Sequence, residues 1–143
     1  MQGLHLTADL SDCQCDGLRL TDATQLLLFC VQAVQAAGLQ TVSQLAHRFP
    51  GHAGGPGGVT ATVLLAESHL CVHTWPEMAA VTVDVYVCNY GADHSAKAKS
   101  LMDALVAHFA PSHADCQTLH RGRAQALSNG EFNYELREGV VKV

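Results

Sequence analysis

The sequence is poor in charge, with only 15% of its 143 residues ionic, and it has no apolar run near the ~18 residues that a membrane span needs. No basic segment leading into an apolar stretch stands at its start, so a secreted precursor is not expected. Lysine and arginine total 8 against 13 acidic residues, a formal charge of −5, and they gather nowhere beyond Arg121 and Arg123. Neutralising phosphates requires a basic face, so nucleic acid is not an expected partner. The negative balance suits a cationic small substrate. The cysteines (Cys13, Cys15, Cys30, Cys71, Cys88 and Cys116) lack the spacing and secretory context of a disulfide framework. Nine histidines and the C-x-C at Cys13 and Cys15 raise the question of a metal. The paired ligand spacing of a zinc site is missing, however, and no metal is expected. No repeat and no linker divides the chain. These absences leave a soluble, cytoplasmic protein with a single domain over residues 1–143.

What is present is a strand-rich pattern, in a chain 48% hydrophobic. Residues 3–12 alternate apolar and polar as a strand does. Asp22 followed by Gln25 opens a helix, Leu27, Val31 and Val34 recur at helical spacing, and Gly38 closes it. Leu39 to Phe49 reads as a strand, and residues 50–58 as a loop too rich in glycine and proline for helix or central strand. Three β segments follow: Val59 to Ala66, His69 to Trp75, and Ala80 to Cys88. In the last of these Val81, Val83, Val85 and Val87 share one face, and Thr82, Asp84, Tyr86 and Cys88 the other. A helix from Ser95 to Phe109 carries Ala98, Met102, Leu105 and Phe109 on one stripe. A last strand over Asp115 to His120 precedes a polar tail. The order β-α-β-β-β-β-α-β indicates an α+β fold, an antiparallel sheet with helices packed on one face.

Reactive groups crowd into AESHLCVHTWPE (66–77). Strand alternation lets His69, Cys71, His73 and Trp75 point the same way. A core face is not ordinarily built from two histidines and a tryptophan, because each buried polar atom needs a partner. A solvated face with incidental histidines would explain the pattern equally well. A Ser-His-Asp hydrolase would want glycines around the serine, which A-E-S-H-L lacks. A Cys-His pair from Cys88 or Cys71 with His73, or a zinc site from His69, Cys71 and His73, is chemically possible but carries no distinctive signature.

The run GGVTATVLLAESHLCVHTWPEMAAVTVDVYVCN (57–89) resembles the core of the short prokaryotic S-adenosylmethionine decarboxylases. The matching motifs are Glu67-Ser68-His69, His73-Thr74-Trp75-Pro76-Glu77 and Cys88, extending outward to His47-Arg48-Phe49 and to Gly3 and His5. The resemblance covers most of residues 3–122. It implies a proenzyme that cleaves itself at Glu67–Ser68 into a β chain, 1–67, and an α chain, 68–143. The Ser68 hydroxyl would attack the Glu67 carbonyl, and elimination would leave a pyruvoyl group on the α chain. His73 would act as the processing base, assisted by Thr60. Through a Schiff base the pyruvoyl carbonyl would serve as electron sink for decarboxylation, the work of pyridoxal phosphate elsewhere. Cys88 would be the proton donor. For a free cysteine the commoner fate is a buried core thiol.

The resemblance also implies a two-layer sandwich and a homodimer with active sites at its interface. It makes Phe49 the ring that stacks on adenine and Glu77 the carboxylate that holds the ribose, with Trp75 beside them. The product would be the aminopropyl donor for spermidine synthesis. Departures from the family pattern lie around the substrate pocket: a longer, glycine-richer loop after Phe49, Gly3-Leu4-His5 where Gly-Arg-His is common, Ala66 where serine is frequent, and Ala79-Ala80. Relatives with this processing core decarboxylate ornithine or arginine, which stands as the second reading. A histidine- and cysteine-rich metal-binding protein that does not cleave is the third.

Overall fold

The structure, a computed structural model, describes residues 2–51 and 54–122. The polar tail from residue 123 onward, Arg123 included, and residues 52 and 53 of the glycine-rich loop lie outside the described residues.

Six strands form one antiparallel sheet: β1 (Gly3–Cys13), β2 (Thr41–Arg48), β3 (Val59–Leu65), β4 (Ser68–Trp75), β5 (Ala80–Cys88) and β6 (Pro111–Arg121), in spatial order β2-β3-β4-β5-β1-β6. The helices are α1 (Leu18–Thr21), α2 (Ala23–Ala36) and α3 (Ser95–Phe109). The α2 helix packs on β2 and β3, and α3 on β1 and β5. The period-two pattern decides which face they cover. Leu4, Leu6, Ala8 and Leu10 of β1, Val59, Ala61 and Val63 of β3, Leu70 and Val72 of β4, and Val81, Val83, Val85 and Val87 of β5 are all buried against Leu26, Cys30, Val34, Leu101, Leu105 and Phe109. Burying each of these branched side chains contributes roughly 1.5–3 kcal/mol. A polar substitution at Val83 would therefore dissolve the interface between the two layers.

The expected α+β sandwich is the fold found, and most elements fall where the pattern puts them. Asp22 caps α2, its carboxylate accepting from the Thr24 and Gln25 amides at 2.9 and 3.0 Å. Gly38, at φ 73°, follows the helix, and Leu39 N–H reaches back to the Val34 carbonyl, the bonding of a Schellman end. Three differences have physical causes. The inward stripe of α2 is Leu26, Cys30, Ala33 and Val34, with Leu27 and Val31 only part-buried, because three consecutive leucines make the facing direction ambiguous from periodicity. The one-turn α1 was not expected. It is tied down where the buried Thr74 hydroxyl donates to the Leu20 carbonyl at 2.6 Å and accepts from Val59 N–H at 2.8 Å. Finally, β6 begins at Pro111 rather than Asp115. Ala110 turns the chain in a left-handed conformation (φ 46°), and proline is allowed at the start of this edge strand.

Candidate active site

Two short segments of the sheet carry all the reactive residues. The first is the β3–β4 corner. Leu65 pairs with Ser68, so Ala66 and Glu67 alone make the turn. Glu67 sits at φ 56°, a left-handed conformation that costs a residue with a Cβ roughly 1–2 kcal/mol. The strained residue supplies the carbonyl of the Glu67–Ser68 peptide. The Ser68 hydroxyl accepts a hydrogen bond from Cys88 N–H at 3.0 Å, which pins the oxygen beside the end of β5. Cys88 is only 6% exposed, and with Glu67, Tyr86 and Tyr90 it lines a shallow pocket. Gly3, opposite Cys88 on β1, has no room for a side chain, since an added Cβ would fall 2.7 Å from the Tyr86 ring. His69, next to Ser68, is held below the ordinary histidine range by burial and then by the neighbouring His5, with Arg121 adding and Asp84 opposing. A neutral imidazole therefore sits beside the serine. His5 Nε2 is itself 3.2 Å from Asp84 Oδ1.

The second segment is a cleft of about 510 Å³ between the glycine-rich loop and the far end of β4, lined among others by Phe49, Thr60, His73, Trp75 and Glu77. Its wall is backbone. A Cβ on Gly57 would meet the Phe49 carbonyl oxygen at 1.8 Å, and one on Gly58 the Thr74 carbonyl oxygen at 2.0 Å. Phe49 is half-exposed, its ring edge-on to His47 at 4.8 Å. Glu77 stands on the 3-10 turn Pro76–Met78. The Thr60 hydroxyl meets His73 Nδ1 at 2.8 Å, and Cys71 Sγ lies 3.3 Å from His73 Nε2.

Every residue expected in the site falls in one of these two groups, and one chain does not bring the groups together. Ser68 and His73 are five residues apart on a single strand, which at the usual rise is roughly 16 Å. Glu67, Ser68 and Cys88 are thus joined at one end of β4, and Phe49, Thr60, His73, Trp75 and Glu77 at the other. Sequence reasoning missed Tyr90 and the Gly3–Tyr86 contact. The placing of Tyr86 and Cys88 on one face of β5 was a partial signal for that pocket. Among the described residues, no group of three or more His, Cys, Asp or Glu side chains is arranged to hold a metal ion.

Among the described residues, the sheet face away from the helices bears no layer of its own. His69, Cys71, His73 and Trp75 lie on it part-exposed, and Leu45, Leu64 and Leu119 stand out from it, Leu45 at 73% exposure. Among the described residues, no helix is long and apolar enough to cross a membrane.

The chain and its two-layer α+β scaffold have counterparts among known proteins. A solved structure described as the adenosylmethionine decarboxylase from Aquifex aeolicus VF5 superposes with a TM-score of 0.74 at 34% identity, covering 90% of this chain and 97% of that one. The S-adenosylmethionine decarboxylase proenzyme of Aquifex aeolicus (strain VF5) is 37% identical over 99% of this chain and 96% of its own length. That of Prochlorococcus marinus (strain MIT 9211) is 32% identical over 93% and 100%. The fold and the matches together define a decarboxylase, a carboxy-lyase. The family profile described as S-adenosylmethionine decarboxylase matches residues 4–122, and the chain belongs to that family.

Proposed function

We propose that this chain cleaves its own Glu67–Ser68 peptide and uses the resulting pyruvoyl group to decarboxylate S-adenosylmethionine. The observation that carries the reading is the corner itself: a left-handed Glu67 followed by a serine whose hydroxyl is held by the Cys88 amide. Addition of that hydroxyl to the Glu67 carbonyl exchanges the amide for an ester and frees the Ser68 nitrogen. Removal of the Ser68 α-proton then expels the Glu67 carboxylate and leaves a dehydroalanine, whose imine tautomer is hydrolysed by water, releasing ammonia and leaving the pyruvoyl terminus. When formed, the pyruvoyl carbonyl supplies the electron sink for loss of carbon dioxide. Cys88, buried beside that terminus, is placed to return a proton to the substrate α-carbon.

Phe49 offers a half-exposed ring for the adenine face, Trp75 shapes the same cleft, and Glu77 accepts from the ribose hydroxyls. An aromatic platform with one carboxylate favours a nucleoside over ornithine or arginine, in accord with the names of the relatives. The product would be the aminopropyl donor of spermidine synthesis.

The separation of the two groups calls for a second copy. A homodimer packing its uncovered sheet faces together would bury Leu45, Leu64 and Leu119 and bring His73 of the partner subunit, with its Thr60, to Ser68. A cytoplasmic setting belongs to the same reading, supported by six cysteines that are all free thiols.

Co-expression tests it. Ser68→Ala and His73→Ala should each stay full length alone. Produced together in equal amounts, random pairing should let about half of the His73→Ala chains split into 1–67 and 68–143, while Ser68→Ala chains never do. Intact mass under denaturing conditions reads the outcome. Absence of any cleavage in the mixture would refute the shared site, and cleavage of Ser68→Ala would refute the chemistry.

A further inference from the structure

Both ring nitrogens of His73 are occupied, and one of the partners has no place in the chemistry described so far. A line of polar groups crosses β3 and β4: Thr62 Oγ1 lies 3.3 Å from Cys71 Sγ, Cys71 Sγ 3.3 Å from His73 Nε2, and His73 Nδ1 2.8 Å from Thr60 Oγ1. A neutral imidazole has one N–H and one lone pair, so two arrangements compete. With the proton on Nδ1, the Nε2 lone pair would depend on a thiol S–H, a weak donor. With the proton on Nε2, that N–H points into the sulfur and the Thr60 O–H, a good donor, meets the Nδ1 lone pair. The short Thr60–His73 contact favours the second arrangement.

We infer that Cys71 is a positioning residue for self-cleavage, its sulfur accepting from His73 Nε2–H and so fixing the tautomer in which Nδ1 is the base behind the Thr60 hydroxyl. The proton taken from Ser68 of the partner subunit passes to Thr60 Oγ1 as the Thr60 proton moves to Nδ1. The imidazolium that forms keeps its Nε2–H on the sulfur. This is the order hydroxyl, imidazole, orienting acceptor, with a neutral sulfur in the third place. The surroundings leave that place to Cys71. Across β5, Thr82 pairs with His73 and Asp84 with Cys71, but the Asp84 carboxylate is engaged by His5. His47 pairs with Thr60 from β2, and Trp75 follows on the same strand. Behind the sheet, burial pushes the Cys30 thiol up to about 12, so it adds no charge.

The inference rests on His73 acting in the cleavage, and the experiment separates the two. Freshly synthesised full-length chain is followed by intact mass between about pH 5.5 and pH 8.5, the range in which histidine titrates. Cys71→Val, which keeps volume and removes the acceptor, should cleave roughly two- to fivefold more slowly, the worth of one hydrogen bond to a weak acceptor. Without an acceptor to favour its protonated form, the acid limb of its rate profile should move to lower pH. Cys71→Ser should restore the wild-type profile. A Cys71→Val chain with wild-type rate and profile overturns the inference. So does equal slowing in Cys71→Val and Cys71→Ser with no change of profile, which would make the residue a packing element. Normal cleavage in His73→Ala would instead remove the base itself.

Discussion

The two ends of β4 solve different problems with different materials. At its start, a two-residue turn, one strained residue, one serine and one buried thiol are held by ladder hydrogen bonds within a few ångströms of each other. At its end, a loop of glycines and prolines curves around a half-exposed ring, with backbone rather than side chains as its wall. In the proposed reading the corner holds the bond that breaks, the ring, carboxylate and loop of the cleft select the molecule, and His73 and Thr60, also at the cleft end, serve the cleavage of a second copy. Binding and cleavage would then use different side chains, which is how a processing core can be kept while a substrate pocket diverges.

The largest effect that would break this division lies at the corner. Ser68→Ala should abolish both cleavage and turnover, because no hydroxyl remains to attack; intact mass and carbon dioxide release read the two together. Cys88→Ala should still cleave but turn over about 10²–10⁴-fold more slowly, the usual contribution of a positioned proton donor. Normal turnover in that variant would take Cys88 out of the reaction. Smaller effects should appear in the cleft. Phe49→Ala should raise KM for S-adenosylmethionine about tenfold, a stacked aromatic pair plus its buried area being worth 1–2 kcal/mol, while cleavage proceeds unchanged. Glu77→Gln should raise KM about five- to tenfold for loss of a charge-assisted hydrogen bond. Slow cleavage in either variant would show that binding and cleavage are not separable.

The smallest effect concerns neither region. His108 stacks on Phe29 at 3.6 Å, and burial, with Arg19 adding, pushes it down to about 4 from its ordinary 6.5. The unfolded chain takes up this proton as pH falls below 6.5, whereas the folded chain stays neutral to about 4. Stability should therefore decline with falling pH across that window and level off below it. His108→Phe, made in the uncleavable Ser68→Ala chain, should flatten part of that decline between pH 7 and pH 5 in urea unfolding. An unchanged slope would exclude His108 as a contributor, and cleavage in a Ser68-containing chain should not respond to the substitution.

Much of this was legible in the residues. Alternation of apolar side chains located β1 and β5, and β-rich runs between turn signals located β2, β3 and β4, since a sheet covered on one face imposes period two on the strands it buries. The Asp22 cap and the Gly38 end bounded α2 for local reasons. The start of β6 was missed because its exposed, polar residues carry no burial signal; the strand is held by pairing with β1. In the candidate site, the residue types and their order singled out Glu67, Ser68, His73 and Cys88 by family resemblance. The distance between His73 and Ser68 was not legible there, because five residues are close in sequence and far apart on an extended strand.

The sequence by itself determined the layers and, by family resemblance, singled out the candidate reactive groups, since both follow from local pattern and side-chain chemistry. Only the tertiary structure decided which of those groups meet. Pairing β5 against β4 brings Cys88 to Ser68 across twenty residues, and the extended run of β4 carries His73 away across five. Distance along a chain says nothing about distance in space until the hydrogen-bond register is set, and that register depends on the whole sheet.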